Sequence, residues 1–591
     1  MQRGLNQLAA DTYDVLIIGG GIYGVCAAWD AALRGLSVAL VDKGDFGHAT
    51  SSNSLRVIHG GLRYLQHGDF RRLRQSIQER TVFMRIAPHL VHPLPFLIPT
   101  YGHAMRGKEI LTVALLVNDL IGLDRNRLED PHKYLPPGRL ISREECLLLV
   151  PGIEKKGLTG GAIVYDCQVL SSERLILSFV RSAIRAGAQA ANYVEVFGLL
   201  RKGHRVAGVK ARDLLHGSEM DIRARIVINA SGPWLDRVLS LCNGHSPKRR
   251  LALSKAFNIL VNRQLIPHYA VGIYAKNRFK DGDVLLSKGS RLLFLTPWHN
   301  RSLIGTVHLP YDCDPDHCEV TEDEIHGFLD EINEAYPAAA LERQDVCLTY
   351  GGLLPIDNHG TGVQLLKRYR IVDHKKEEGI EGLVSVMGVK LTEARHVAEK
   401  TIDLVFAKLG ETPPKSATTK TPLHGGQIPQ LSAFLTEQLQ RKPQHVSADA
   451  FQRLVQFYGS AYPDVLKYLD ESFILSSTKT VTCRSENGHS PSRSEGRQSV
   501  ENLSSPNDTS TAGNSSLIRA EILHSIREEM AQKLTDVVFR RTSLGIVGNQ
   551  RGDVLRNTAA IMAKELGWNG VTTQREINEA KTFLSARTQS G

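Results

Sequence analysis

A glycine-rich turn between two apolar runs constrains the fold of this chain more than any other feature of the sequence. The first run, Asp14-Val-Leu-Ile-Ile18, is continuous, which favours a strand buried within a parallel sheet. It is followed by Gly19-Gly-Gly-Ile-Tyr-Gly24 and by a helix-prone segment from Val25 to Arg34. A second run, Ser37-Val-Ala-Leu-Val41, ends at Asp42. This order of strand, glycine turn, helix and strand predicts a βαβ unit that binds a dinucleotide.

The spacing of the turn gives each of four residues a role. Gly19 permits the tight turn, Gly21 lets a pyrophosphate approach the backbone, and Gly24 lets the helix pack closely on the strand. Asp42 would accept hydrogen bonds from ribose hydroxyl groups, and its charge disfavours the 2′-phosphate of NADP. A glycine-rich turn without a ligand is the alternative to this prediction.

Two later apolar runs would return to the same sheet, so the nucleotide-binding domain is predicted to be discontinuous. They are Ile226–Trp234 and Leu383–Met387. The next segment is predicted to be a helix opened by Lys390, whose N-terminal N–H groups would face a cofactor's ring system. Between these returns, three segments predict the strands of a second sheet: Ala256–Val261, Arg291–Trp298 and Arg301–His308.

The last third of the chain has a helical pattern, which begins after about residue 420. Ala448–Tyr458 and Ala520–Leu534 are its clearest helical segments. Ser476–Ser516, which lies between them, is dominated by Ser, Thr, Asn, Gly and charged residues. This composition predicts a disordered insertion. A long ordered loop is the alternative.

Length, charge and cysteine usage exclude several classes of protein. The 591 residues are too many for one compact domain, and the eight irregularly placed cysteines predict a reducing compartment rather than a disulfide framework. We expect neither a secretory signal nor a membrane-spanning helix, because no apolar segment has the required length. The net charge of +10 favours anionic partners such as phosphorylated metabolites or anionic lipid. We expect no nucleic-acid partner, since no binding module is recognisable, and no metal site, since Cys313–Cys318 lacks a second ligand pair.

A long motif near the N-terminus carries a family resemblance. The stretch Ala49-Thr-Ser-Ser-Asn-Ser-Leu-Arg-Val-Ile-His-Gly-Gly-Leu-Arg-Tyr-Leu65 resembles the signature of the FAD-dependent glycerol-3-phosphate dehydrogenases, a T-S-S followed by K/R-x-I-H-G-G-x-R-Y-L. Shorter motifs follow in the family's order: Ala87–Leu90, Tyr165–Cys167, Glu173-Arg174, Asn229–Trp234, Pro297-Trp298, Gly305-Thr306, Gly388–Thr392, Leu423–Gly426, Tyr458-Gly459 and Arg540–Thr542. The resemblance therefore extends along most of the chain.

The resemblance implies both a fold and an activity. The activity is FAD-dependent oxidation of sn-glycerol 3-phosphate to dihydroxyacetone phosphate, with the hydride passing to flavin N5 and the electrons to a quinone or another acceptor. The fold class is α/β, with a Rossmann-like FAD-binding domain of the glutathione-reductase type, an antiparallel-sheet substrate domain and an all-helical C-terminal domain. We expect the FAD-binding domain at 13–90, 156–235 and 345–410, the substrate domain at 91–155 and 236–344, and the helical domain at 420–591.

The resemblance also implies the residues of the site. The expected FAD-binding residues, which include the four of the βαβ unit, are Gly19, Gly21, Gly24, Asp42, Thr50, Ser51, Ser52, Gly60, Gly61, Gly232, Gly388, Lys390, Leu391 and Thr392. Arg63 and Tyr64 would lie at the substrate, and Lys390 beside the flavin and the substrate phosphate. His59 is either a proton acceptor near the flavin or a histidine held by backbone hydrogen bonds. Arg56 is either a substrate or flavin-phosphate contact or a solvated residue.

The chain departs from the family pattern at the substrate phosphate. Leu354 stands where the family has a phosphate-binding arginine, and a leucine cannot bind an oxyanion. Lys367 stands at a second arginine position, which keeps the charge but loses the planar fork. Lys367 and Arg368 therefore join Arg63 as candidate phosphate-binding residues.

The chain also departs from the family near the expected base. Asn258 replaces a histidine, and His308 replaces an acid, which makes His308 a second candidate base. The alternative function is accordingly a flavin-dependent oxidoreductase of the same fold that acts on a different small hydroxy or amino substrate.

Basic and apolar segments indicate contact with a membrane surface as a further function. The basic clusters are Arg71–Arg74 and Lys248–Arg250, and the apolar stretch Ile110–Leu123 has basic flanks. Such a segment can lie in the lipid interface and reach a quinone, whereas a helix packed on its own domain is the alternative. We expect a cytoplasmic protein, with a peripheral position on the cytoplasmic membrane face left open. The oligomeric state, a homodimer included, is also left open.

Overall fold

Two β-sheets form the centre of the molecule. The computed structural model describes residues 1–102, 108–242, 251–275, 292–357, 365–469, 508–545 and 552–588. The strands are β1 (Thr12–Ile18), β2 (Val38–Val41), β3 (Val57–Ile58), β4 (Val91–Tyr101), β5 (Arg139–Ile141), β6 (Leu158–Val169), β7 (Gln189–Ala191), β8 (Val194–Lys202), β9 (Arg205–Asp213), β10 (Glu219–Asn229), β11 (Ala252–Val261), β12 (Ala270–Tyr274), β13 (Leu292–Trp298), β14 (Arg301–Tyr311), β15 (Val346–Ile356), β16 (Arg370–Asp373) and β17 (Leu383–Met387).

Helices cover these sheets and form the C-terminal region. They are α1 (Leu5–Ala10), α2 (Ile22–Leu33), α3 (Phe70–Ile86), α4 (Lys108–Ile121), α5 (Arg143–Leu149), α6 (Ser172–Arg185), α7 (Leu235–Ser240), α8 (Glu322–Ala335), α9 (His374–Glu378), α10 (Ala394–Leu409), α11 (Leu431–Gln440), α12 (Ala448–Tyr458), α13 (Pro463–Leu466), α14 (Asp508–Glu529), α15 (Leu534–Asp536), α16 (Gly552–Leu566) and α17 (Gly570–Thr588). Among the described residues, none of the helices is both long and apolar enough to cross a bilayer.

The first sheet has the strand order β16-β17-β10-β1-β2-β7, and the β8–β9 hairpin extends from β10. Strand β1 pairs in parallel with both β10 and β2, and β17 pairs in parallel with β10. Val15 and Ile17 face a core shared with α2, α6 and α10, whereas Leu16 and Ile18 face a core shared with β9 and α7. The predicted βαβ unit and the predicted return of two later segments to its sheet are therefore confirmed.

The second sheet has the order β15-β11-β14-β13-β12-β4-β6-β3, with β5 paired to β6. Its pairings are antiparallel except for β12 with β4. The three segments predicted to supply this sheet are confirmed, since they correspond to β11, β13 and β14.

The sheets divide the chain differently from the predicted bounds at three places. The predicted FAD-binding domain covers 13–90, 156–235 and 345–410, but β3, β6 and β15, which lie in these three segments, belong to the second sheet. Strand β6 pairs with β4 along its whole length, from Val91 opposite Val169 to Tyr101 opposite Leu158. An apolar run shows that a strand is buried but not which sheet it joins, so the sequence could not place these three strands.

The helical C-terminal region begins with α11, and the predicted helix Ala448–Tyr458 is confirmed as α12. The predicted helix Ala520–Leu534 is interrupted, because α14 ends at Glu529 and Met530 has a left-handed φ of 55°.

The prediction of disorder over 476–516 is wrong for residues 508–516, which are helical, while residues 476–507 lie outside the described part of the chain. Leu517 and Ala520 pack against α12 and α13, which anchors this part of α14. Asn514 then accepts hydrogen bonds from the backbone N–H and the hydroxyl of Ser447. Tertiary contacts thus stabilise a helix that local composition disfavours.

Candidate active site

A cavity of about 1760 Å³ lies between the two sheets. Its walls include the ends of β1, β10 and β17 from the first sheet and residues of β4, β14 and β15 from the second. Pockets for single small ligands usually occupy about 300–1,000 Å³. The cavity can therefore hold a dinucleotide together with a small substrate.

The glycine turn forms one end of this cavity. Gly19 has a φ of 108°, and an added Cβ would meet the carbonyl oxygen of Ala230 at 2.5 Å, so only glycine fits. A Cβ on Gly24 would collide with the carbonyl of Gly19, which is the close packing of helix on strand that the motif predicts. Gly19 and Gly21 line the cavity, whereas Gly24 lies behind it. Helix α2 therefore directs its N-terminus at the cavity, where anionic phosphate is favoured.

Asp42 is fixed at the carboxyl end of β2, beside the turn. Its Oδ2 accepts a hydrogen bond from the Gly20 N–H at 2.6 Å, and its Oδ1 accepts one from the Gly44 N–H at 2.7 Å. Each carboxylate oxygen can accept a second hydrogen bond, so these contacts orient Asp42 and leave it able to accept hydrogen bonds from a ligand. Asp42 lines the cavity, as its expected role at a ribose requires.

The expected FAD-binding residues of the long motif divide into two groups. Thr50, Ser51 and Gly61 line the cavity, and Ser51 Oγ accepts a hydrogen bond from the first N–H of α2 at 3.0 Å. Ser52 and Gly60 do not line it. The Ser52 hydroxyl donates to the carbonyl of Gly47, and the Gly60 N–H donates to Asp166. Ser52 and Gly60 therefore stabilise the loop through hydrogen bonds within the protein rather than by contacting a ligand in the cavity.

The segment after β17 forms the wall opposite the glycine turn. Gly388, Lys390, Leu391 and Thr392 all line the cavity, as does Gly232 after β10. The prediction that Lys390 opens a helix is wrong, because α10 begins only at Ala394. The reason is a turn over residues 391–393, which precedes the helix.

Tyr23 fixes the backbone of this turn. The Tyr23 hydroxyl donates to the carbonyl of Lys390 at 2.9 Å and accepts from its N–H at 3.3 Å. Thr392 Oγ1 accepts a hydrogen bond from the backbone N–H of His59 at 3.3 Å. The turn is therefore joined both to α2 and to the long motif.

Tyr64 is surrounded by positive charge. The Lys390 ammonium donates to its hydroxyl group, and the Lys390 Nζ lies 4.2 Å from the centroid of its ring. The Arg72 guanidinium lies 4.5 Å from the same centroid. Glu393 is 3.2 Å from Arg72 and 3.9 Å from Lys390. Burial, aided by Arg72 and Arg63, lowers the pKa of Lys390 to about 7, although Glu393 opposes this change.

The other candidate substrate residues line the same cavity. They are Arg63, His308, Lys367 and Arg368, and Leu354 lines it too. Arg63, Lys367 and Arg368 are exposed, and Arg368 forms an ion pair with Asp69 at 3.2 Å. His308 is partly buried on β14. The cavity thus combines one end built for a dinucleotide with another end rich in cations.

His59 lies next to Tyr64, with 6.0 Å between the ring centroids. Burial lowers the pKa of His59 to about 3, and Lys390 and Arg72 lower it further through charge repulsion. The imidazole is therefore neutral at physiological pH and able to accept a proton. Its backbone N–H donates to the Thr392 hydroxyl, a bond that fixes the loop but does not involve the imidazole, so both readings of His59 stay predictions.

Arg56 lines the cavity but is not the solvated residue that one of its two readings expects. It is completely buried with a φ of 60°, and its guanidinium donates to both carboxylate oxygens of Glu173, at 2.6 and 2.7 Å. The ring of Trp298 lies 4.4 Å away. Arg56 thus fixes the loop that carries Thr50 and Ser51 through an internal ion pair.

Sequence reasoning missed two groups at the site. The sequence places Arg72 in a basic cluster that would face a membrane surface, but its guanidinium lies at the cavity. The only signal for this position is that Arg72 follows Arg63 and Tyr64 closely in sequence. Arg80 was not singled out, although it donates to the carbonyl of Tyr165 at 2.6 Å and pairs with Asp166 behind Gly60. Among the described residues, no group of three or more metal-ligating side chains could hold a metal ion.

Several known proteins are similar to this chain in sequence, and one solved structure is similar to it in fold. A family model described as FAD dependent oxidoreductase matches residues 14–390, and one described as the C-terminal domain of alpha-glycerophosphate oxidase matches residues 416–573. A Synechocystis protein named glycerol-3-phosphate dehydrogenase is 32% identical over 98% of both chains. The human mitochondrial glycerol-3-phosphate dehydrogenase is 29% identical, over 97% of this chain and 73% of its own.

A solved structure has the same architecture. The Bacillus halodurans glycerol-3-phosphate dehydrogenase, complexed with FAD, superposes with a TM-score of 0.73 and 24% sequence identity, over 99% of this chain and 96% of its own. The fold and the cavity therefore define an FAD-dependent oxidoreductase. Within that class, the chain belongs to the FAD-dependent glycerol-3-phosphate dehydrogenase family.

The residues present fit FAD as the cofactor. The left-handed Gly19, the bare backbone of Gly21 and the N-terminus of α2 suit a pyrophosphate, and Asp42 suits a ribose. A Cβ on Gly388 would collide with the phenol of Tyr23, so this wall also requires a bare backbone. The volume of the cavity leaves room for a substrate beside the cofactor.

Proposed function

We propose that this chain catalyses the FAD-dependent oxidation of sn-glycerol 3-phosphate to dihydroxyacetone phosphate. The observation that carries the proposal is that one cavity contains both the dinucleotide-binding turn at Gly19 and the cationic cluster around Tyr64. The names of the Synechocystis and human relatives support the same substrate. A phosphate dianion would compensate like charges that this cluster holds close together.

The side chains of this cavity would bind the substrate and remove a proton from it. Arg63 and Lys390 would hold the phosphate, with Lys367 and Arg368 at the exposed rim. When bound, FAD supplies the acceptor for the hydride that leaves the substrate carbon. His59, which is neutral, would accept the proton of the hydroxyl group, with His308 as the second candidate.

The visible spectrum of the purified protein tests the proposal directly. Under anaerobic conditions, sn-glycerol 3-phosphate should bleach the flavin band, whereas glycerol and sn-glycerol 1-phosphate should bleach it far more slowly. Dithionite serves as the control for a reducible flavin. A yellow protein that dithionite bleaches and sn-glycerol 3-phosphate does not would overturn the proposed substrate.

A different small hydroxy or amino substrate is the second candidate function. Leu354 favours it, because an apolar side chain lines the cavity where the family pattern has a phosphate-binding arginine. The same anaerobic experiment with a panel of uncharged polyols, 2-hydroxy acids and amino acids separates the two functions. Faster bleaching by any of these than by glycerol 3-phosphate would favour the second function.

The exposed face of α4 suits a lipid surface. Val113, Leu116, Leu120 and Leu123 are exposed large apolar side chains on or just after this helix, and Leu116 and Leu120 are 66% and 68% accessible. Lys108 and Arg127 lie near the two ends of the helix, which suits anionic headgroups. We propose that this face rests on a membrane, where a quinone is available as the electron acceptor. Lys248–Arg250, the other basic cluster, lies outside the described residues.

Flotation with phosphatidylglycerol vesicles tests the membrane contact. Replacing Leu116 and Leu120 by glutamate should abolish flotation, whereas Val571→Glu, at an equally exposed apolar position on α17, should not. Reoxidation of the reduced enzyme by a soluble menaquinone analogue and by oxygen then identifies the acceptor. Equal flotation of both variants would exclude α4 as the contact.

We also propose a cytoplasmic location and a homodimeric assembly for this chain. Cys26, Cys146 and Cys167 are buried free thiols, which supports a reducing compartment. Fractionation of the native cells tests the location, and sedimentation velocity tests the oligomeric state.

A further inference from the structure

The cavity has a guanidinium group where the family pattern does not predict one. Leu354 removes an expected arginine from the substrate side, and Lys367, at the second arginine position, is an exposed side chain at the rim. The first turn of α3 nevertheless brings Arg72 to the wall of the same cavity.

Arg72 is held rigidly but keeps its two terminal nitrogens available. Asp69, the N-cap of α3, accepts a hydrogen bond from the Arg72 backbone N–H at 3.1 Å. The Arg72 Nε donates to Glu393 at 3.2 Å, and the plane of Tyr64 lies below the guanidinium, 4.5 Å away. Within the described residues, neither Nη1 nor Nη2 of Arg72 has a hydrogen-bond partner. The side chain is only 14% exposed, so these donors face the cavity rather than bulk water.

The charges around Tyr64 favour the binding of an anion. Arg72 and Lys390 both lie within 4.5 Å of the ring centroid, and Glu393 is the carboxylate that contacts both of them. Arg63 adds a further positive charge, which is felt at Lys390. Like charges held together at low exposure raise the free energy of the empty site, and a bound anion would relieve this repulsion.

We propose that Arg72 binds the phosphate group of the substrate and supplies the guanidinium that this chain lacks at Leu354. This inference rests on the proposed function for the identity of the substrate, but it requires only an oxyanion for the binding itself. The planar fork of Arg72 offers two parallel N–H donors to one phosphate, which Lys390 and Lys367 cannot do.

Variants of the FAD-loaded enzyme test the role of Arg72. Arg72→Gln should raise the KM for sn-glycerol 3-phosphate by about ten- to hundred-fold, the effect of losing one charge-assisted contact, with a smaller change in kcat. Arg72→Lys should fall between the wild type and Arg72→Gln. Reduction of the flavin by glycerol, which has no phosphate, should change less than twofold. Arg74→Gln, on the same helix but paired with Asp124 outside the cavity, is the matched control.

Inorganic phosphate provides a readout that is independent of turnover. Its binding should perturb the flavin absorbance, and Arg72→Gln should raise its Kd by the same factor as the KM. Leu354→Arg in the Arg72→Gln background should recover part of the affinity, which also shows that the double variant is folded. Flavin content and the thermal midpoint monitor the fold of every variant.

The outcomes separate this inference from the proposed function. A KM and a phosphate Kd of Arg72→Gln within twofold of the wild type would overturn the role of Arg72 and leave the proposed function standing. A wild-type enzyme that binds phosphate through Arg72 but is not reduced by glycerol 3-phosphate would overturn the proposed function alone.

Discussion

Asp45 and Arg541, separated by 496 positions in sequence, form a buried ion pair between the loop after β2 and the C-terminal helical region. Arg540 Nε donates to the same carboxylate at 2.7 Å. Although burial opposes ionisation, the two guanidinium groups hold the pKa of Asp45 well below its usual range. The loop of Asp45 also carries Asp42 and Gly47, which line the cavity, so the helical region supports the FAD-binding end directly.

Asp45→Asn should therefore destabilise the protein and weaken its hold on FAD. Removing one partner of a buried ion pair costs about 3–5 kcal/mol, because the remaining charges lose their compensation. We expect a lower thermal midpoint and a lower ratio of flavin to protein after gel filtration. Glu219→Gln, which breaks an exposed pair with Arg212, is the control and should leave both quantities unchanged.

Substrate affinity should depend on the titration of Lys390. The ammonium form binds an anion, and the pKa of about 7 in the free enzyme means that this form is lost as the pH rises through 7. The logarithm of kcat/KM should therefore fall above about pH 7. Lys390→Arg should remove this fall between pH 7 and 9, because a guanidinium stays charged. Superimposable profiles for the two enzymes would show that Lys390 is not the group that titrates.

His59→Asn should slow single-turnover reduction of the flavin by about 10²- to 10⁴-fold, as expected for loss of a general base. The Kd for glycerol 3-phosphate should change little, since the imidazole is neutral. His308→Asn, at the other candidate base, should slow the reduction less than tenfold. The reverse ranking would assign the base to His308, and unchanged rates in both variants would remove both candidates.

Gly388→Ala should displace Lys390 indirectly, through Tyr23. A methyl group at 388 would displace the Tyr23 phenol, whose hydroxyl is bonded to the Lys390 backbone. We expect at least a tenfold loss of kcat/KM with a native-like far-ultraviolet spectrum. Gly327→Ala, in the middle of α8 with open space around it, is the control and should leave kcat/KM unchanged.

The sequence predicted those parts of the site that follow from local pattern. The turn from Gly19 to Gly24, the strand before it and the acid at Asp42 are close in sequence, and each has the expected place. The family resemblance predicts Tyr64 at the substrate and Lys390 beside the flavin, and both residues line one cavity.

The contacts that join distant segments could not be predicted from the sequence. Arg72 is one basic residue in a cluster, and only the direction of α3 places it over Tyr64. The residues around Arg541 do not indicate that it pairs with Asp45, because Asp45 lies in another domain. In α14, Asn514 accepts a hydrogen bond from the Ser447 hydroxyl, a tertiary contact that composition does not predict.

The interleaving of the two sheets has a consequence for biosynthesis. Strand β1 lies between β2 and β10, and the next strand of that sheet, β17, ends at Met387. At a synthesis rate of about 5–20 residues per second, the ribosome needs roughly 20–75 s to add this strand after Ile18. Strand β1 lacks its neighbour β10 until residue 229 has been added, and β10 then lacks β17 until residue 387. In the second sheet, β11 lacks β15 until residue 356 has been added. A truncation between Ile356 and Leu383 therefore leaves the first sheet without β17, although it removes no strand of the second sheet.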